Sequence, residues 1–216
     1  MGVLFLVSGA CFVAGVVNPP LLPTWGDSVP QSVAVAAAHR TAWFTSTWLI
    51  TVSIVAAVAA VELLTRVLDC DAARVGRSLY LVGAALGLAS TAYDLAVTST
   101  LLGTAALPDW YLGTAHWAAG LGTAYFALLA PAALTAFGVA IVRTRALPRW
   151  TGAMFLAAAL LLLFAQYAAF RGALPFPQFL AFIVLGVTLL ARTRRTNKPA
   201  NRAAPGRLPA SRWWRA

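Results

Sequence analysis

The sequence predicts an all-α, polytopic transmembrane helix bundle of about six spans, with both termini cytoplasmic. Three observations carry this expectation. Apolar runs of bilayer length recur from end to end, Pro- and Gly-rich turns separate them, and the basic residues fall almost wholly on one side. Of 216 residues, 61% are hydrophobic and 10% charged, and the mean hydropathy is +0.79. Apolar stretches of about 18 or more residues read as membrane spans. Such stretches fill the chain to about residue 191, leaving no room for a second folded domain.

The elements follow in order. The run 2–18 begins "MGVLFLVSGACFVAGVVNPP" and lacks the basic n-region of a signal peptide, so it reads as a retained first span. Leu6 does not fit a myristoylation signal, and Cys11 follows "SGA" rather than the leucine-led pattern of a lipoprotein signal. "NPPLLPTWGDSVPQS" breaks the helix, and "VAVAAAHR" (33–40) either extends the second span, 41–61, or lies along the surface. The third span, 78–101, ends at "GTAALPDW". The fourth, 112–142, would be about 46 Å long, so it must tilt or protrude, and Pro131 is expected to kink it. "RALPRW" and "RGALPFP" bound the fifth span, 151–170, and the sixth, 174–191. The tail 192–216 is basic, Pro-containing and poor in aliphatic residues, so disorder is expected there.

Fifteen of the sixteen basic residues are Arg, the exception being Lys198. With so much Ala, that usage points to high-GC coding and a bacterial source. Arg66, Arg74 and Arg77 lie in one connection, Arg143, Arg145 and Arg149 in another, and eight basic residues in the tail. Only Arg40 and Arg171 fall on the opposite side, so the rich side is cytoplasmic by the positive-inside rule. The net charge of +10 is therefore read as attraction to anionic lipid headgroups, not to nucleic acid. Trp25, Trp43, Trp110 and Trp117 outside, with Trp150, Trp213 and Trp214 inside, form an aromatic belt.

"STAYDLAVTST" (90–100) places Asp94 inside an apolar run. Counted from Ser78 at 1.5 Å per residue, Asp94 lies about 24 Å into a core of about 30 Å, in the outer half. At 100° per residue, Gly83, Gly87, Ser90, Thr91, Asp94 and Thr98 share one sector. Gly83 and Gly87 form a GxxxG pair suited to close helix approach, within the chain or in an oligomer. On the next helix Gly113, His116, Gly120, Thr123 and Ala127 share a small-residue sector that is expected to face it. His39, Arg40, Gln166 and Arg171 are expected at the same depth.

Two accounts of this polar layer compete. Asp94 either pairs with Arg40, Arg171 or His116 and fixes helix register, or lines an outward-opening pocket. In the second account Asp94 and His116 exchange protons or hold a ligand, and His39, Arg40, Gln166 and Arg171 contribute binding groups. Axial ligation of haem b by His39 and His116, and a metal held by His39, His116 and Asp94, are weaker options lacking a spacing signature. Cys11 and Cys70 define neither a disulfide framework nor a zinc site. Glu62 is expected to pair with Arg66 four residues on. No P-loop, Gly-x-Ser-x-Gly elbow or His-Glu-x-x-His motif occurs.

The stretch "FGVAIVRTRALPRWTG" (137–152) resembles a pattern in small bacterial six-helix membrane proteins of families without assigned function. A helix ends there in a basic turn, and Leu-Pro-x-Trp-x-Gly opens the next span. The resemblance implies a fold type and no activity. The function expected is binding of a small or lipidic ligand in an outward-facing polar pocket, in an accessory or sensory role. The alternatives are a membrane enzyme acting on an isoprenoid or lipid with Asp94 as general acid, and a small transport or proton-conducting component.

Overall fold

Among the described residues, six of the seven helices close into a ring in which each packs along its two neighbours. This computed structural model describes residues 1–19, 21, 28–104, 106–165 and 176–196. The helices are α1 (Gly2–Val16), α2 (Val29–Ala38), α3 (Arg40–Leu68), α4 (Asp71–Leu101), α5 (Asp109–Thr144), α6 (Arg149–Phe164) and α7 (Phe176–Thr196). Among the described residues there are no strands, so the chain is all-α. Around the ring the order is α1, α3, α4, α5, α6, α7 and back to α1, while α2 leans on α3 and α5 from outside. Three helices, α3, α4 and α5, are long and apolar enough to cross a membrane; α1, α2, α6 and α7 are shorter and apolar.

Local chemistry sets the ends. Ser28 and Gln31 form a capping box that starts α2 as a helix of its own, and His39 marks the joint with α3. Asp69 and Arg145, at positive φ, end α3 and α5. The short turns that follow bring α4 and α6 back antiparallel. At the first of these turns Arg74 bridges Asp69 and Asp71, both at 3.2 Å. Arg77 pairs with Glu62 at 2.6 Å across α3 and α4. The expected Glu62–Arg66 pair is thus replaced, because the antiparallel neighbour offers a closer guanidinium than the next turn of the same helix.

Close approach depends on glycine at several seams. A Cβ on Gly152 would come within 2.8 Å of the Gly138 carbonyl oxygen, and one on Gly186 within 2.8 Å of the Gly2 oxygen. These contacts bring α5 against α6 and α1 against α7. Between α1 and α3, the Ser53 hydroxyl donates to the Ser8 carbonyl at 2.7 Å. Aromatic rings fill the ring of helices. Phe12 stacks on Phe179 at 3.8 Å between centroids, and Phe182 contacts Phe5 and Phe155.

Helices α4 and α5 each carry a π-helical segment. In α4 it covers Asp94–Thr98, where the Ser99 N–H bonds to the Asp94 carbonyl five residues back. In α5 it covers Tyr125–Leu129, where the Ala130 N–H bonds to the Tyr125 carbonyl. Pro131 follows directly, so the irregularity expected from its lost N–H is taken up as a widened turn before it.

Candidate functional site

Asp94 opens the π-helical turn of α4 and is half-buried. Its Oδ1 accepts a hydrogen bond from the Thr98 hydroxyl at 3.1 Å. Thr98 is buried and its Oγ1 in turn accepts from the Tyr111 hydroxyl of α5, also at 3.1 Å. Tyr111 stacks on Tyr93 with ring planes 14° apart, and the Tyr93 hydroxyl meets Thr114 Oγ1 at 2.6 Å. A carboxylate, a threonine and a tyrosine thus form one hydrogen-bonded line between neighbouring helices.

The α4 face expected to pack does so. Gly83 and Gly87 are buried, and Tyr125 lies between them: Cβ atoms there would meet its ring carbons at 2.7 and 2.8 Å. The glycine pair therefore holds a side chain of its own chain, and an oligomer seam through Gly83 and Gly87 finds that face taken. The α5 face differs from expectation. It meets α4 through Tyr111, Thr114, Gly122 and Tyr125, with Gly122 close to Ser90. Gly113, His116, Gly120 and Thr123 are exposed instead, and a Cβ on Gly113 or Gly120 would meet nothing within 4 Å. The physical reason is a large-into-small fit: Gly83 and Gly87 of α4 receive the Tyr125 ring, not a second row of small residues.

His116 consequently lies outside the Asp94 network. Its ring is exposed and its Nδ1 is 2.6 Å from the Leu112 carbonyl oxygen, which fixes the proton on Nδ1 and leaves Nε2 open. His39 and Arg40 are exposed at the α2–α3 joint, where the Arg40 guanidinium lies 5.8 Å over the Phe44 ring. Gln166 and Arg171 lie outside the described residues, as does the tail beyond Thr196. Among the described residues Asp94 has no cationic partner, and no three His, Cys, Asp or Glu side chains gather as a metal site. The trio His39, His116 and Asp94 is thus not assembled.

Sequence reasoning missed Tyr93, Tyr111 and Thr114. The available signal was the spacing 111, 114, 118, 122, 125, which marks one face of a helix. A second polar cluster was also missed. Tyr80, Tyr125 and Gln178 are fully buried at the centre of the ring. The Tyr125 hydroxyl donates to that of Tyr80 at 2.9 Å, and Gln178 Nε2 donates to both at 3.2 Å. Gln178 Oε1 is buried with no partner among the described residues.

No family model, no curated protein and no solved structure matches the chain. Any functional reading therefore rests on the geometry above.

Proposed function

We propose that the chain is a six-span protein of the bacterial cytoplasmic membrane that binds a small or lipidic ligand through an outward-facing site at Asp94. The membrane part is supported by the outer surface of the ring. Large apolar side chains are exposed on every ring helix, among them Val3, Val55, Val82, Leu128, Leu160 and Leu180. A water-facing bundle would carry polar residues there. The short α1 and α6 lie along the long helices and complete the bundle.

The observation that carries the binding role is the carboxylate itself. Asp94 lies in an apolar helix, half-buried, with one hydrogen bond from a neutral hydroxyl and no cation beside it among the described residues. A carboxylate in hydrocarbon is costly unless it is partnered, and a donor group on a bound ligand would supply the missing partner. Two carboxylate oxygens accept more than the single Thr98 bond, so the fitting ligand carries a hydroxyl or amine donor on an apolar body. The role is accessory or sensory.

The line Tyr111–Thr98–Asp94 favours a second reading. Two hydroxyls in line hold the carboxyl in a fixed orientation, and in its protonated form it would be placed as a general acid for an isoprenoid or lipid.

Native mass spectrometry of gently purified protein tests both readings. The wild type is expected to carry a reproducible small-molecule or lipid adduct that is lost in Asp94→Asn, while the variant still accumulates in the membrane. An Asp94→Asn protein that keeps the adduct, or fails to accumulate, sinks the binding role. Turnover of the bound species by wild type and not by Asp94→Asn selects the enzyme reading.

A further inference from the structure

At the basic end of the ring a groove of about 410 Å³ opens between the first turn of α6 and the last turns of α7. Trp150, Val187, Thr188, Ala191 and Arg192 line it. Trp150 and Val187 are 51% and 54% exposed, so the floor is apolar and uncovered. Thr188 gives its hydroxyl to the Val184 carbonyl, so it makes no polar demand on an occupant's tail. Arg192 is exposed at the rim, Arg149 is exposed beside Trp150, and Arg194 and Arg195 follow in the chain.

Charge at this end is one-sided. Glu62, Asp69 and Asp71 are its acids, and Arg77 and Arg74 engage all three. Arg66, Arg143, Arg145 and Arg149 are exposed with no acidic partner among the described residues. An occupant must therefore bring negative charge at the rim and an apolar body along Val187 and Trp150. A tryptophan at the mouth suits the headgroup boundary.

We infer that this groove is a binding site for an anionic phospholipid, its headgroup phosphate at Arg192 and an acyl chain along Trp150 and Val187. The inference rests on the membrane reading above. It concerns the opposite end of the molecule from Asp94 and names a different ligand.

The test is native mass spectrometry of the full chain from micelles doped with equal phosphatidylglycerol and phosphatidylcholine. Phosphatidylglycerol is expected to be retained preferentially. Arg192→Gln is expected to weaken retention about fivefold. Trp150→Ala weakens it without changing charge. Arg74→Gln, which removes the same charge from a residue that does not line the groove, leaves retention near wild type. Equal loss in Arg74→Gln and Arg192→Gln overturns the site in favour of diffuse attraction. Displacement by excess inorganic phosphate overturns the lipid assignment. No preference in a protein that resists alkaline extraction from membranes overturns the groove alone, whereas release by alkaline extraction removes the membrane reading beneath it. Circular dichroism confirms that each variant is folded.

Discussion

Thr98 ties Asp94 to the neighbouring helix, because its one hydroxyl donates to the carboxylate and accepts from Tyr111. Removing it therefore affects two groups. Thr98→Val strands the buried Tyr111 hydroxyl and is expected to cost about 1–3 kcal/mol, the penalty for a buried polar group left without a partner. Tyr111→Phe removes a donor and leaves the Thr98–Asp94 bond, so it is expected to cost about 0.5–1.5 kcal/mol. Thermal unfolding in one detergent compares them, and equal losses would contradict the shared role of Thr98. Gln178 behaves differently. Gln178→Leu loses the two long Nε2 bonds to Tyr80 and Tyr125 but also deletes the unpartnered Oε1 and keeps the Tyr80–Tyr125 bond, so the terms offset and its stability is expected to stay within about 1 kcal/mol of wild type. At this scale Asp94 was legible in the sequence, since a carboxylate in an apolar run stands out. Tyr111 was not, because a tyrosine near a helix start reads equally well as part of an aromatic belt.

At the scale of elements, the glycines divide by what surrounds them. Gly83 and Gly87 hold the Tyr125 ring from two sides, and neither contact is the flexible end of a side chain. Gly83→Ala is expected to destabilise by about 1–3 kcal/mol through overpacking. Gly113→Ala and Gly120→Ala meet open space in mid-helix and are expected to be neutral, or to stabilise by up to about 1 kcal/mol. Melting curves of the three variants separate the packed face from the open one. The face of α4 was readable because Gly83, Gly87 and Asp94 share a sector. Its partner on α5 was misplaced because matching small residues to small residues ignores that a ring can fill the gap. The helices extend beyond the expected spans. The expected span 41–61 is part of Arg40–Leu68, and 78–101 part of Asp71–Leu101. Those helices run past the apolar stretch through turns held by Arg77–Glu62 and Arg74–Asp69. Neither π-helical turn was legible, since one extra residue in a turn leaves the apolar pattern almost unchanged.

At the scale of the molecule, the ring of helices separates its chemistry into layers. Aromatic residues fill the centre, aliphatic residues cover the outside, arginines gather at one end, and Asp94 lies towards the other. All-α architecture was legible from apolar run length and turn residues, whereas the ring order was not, because α1 closes between α3 and α7 through Ser8, Ser53, Phe12 and Phe179. The central claim is that Asp94 is open to the outside of a membrane whose inner face meets the arginine-rich end. Cysteine labelling tests it most directly. Both native cysteines are free, so a Cys11→Ser, Cys70→Ser background leaves no competing thiol. In that background, Asp94→Cys in intact cells is expected to react with a membrane-impermeant maleimide. Arg145→Cys is expected to react only after the cells are opened. An Asp94→Cys that stays unlabelled from outside, or that reacts only once the cells are opened, would contradict the account.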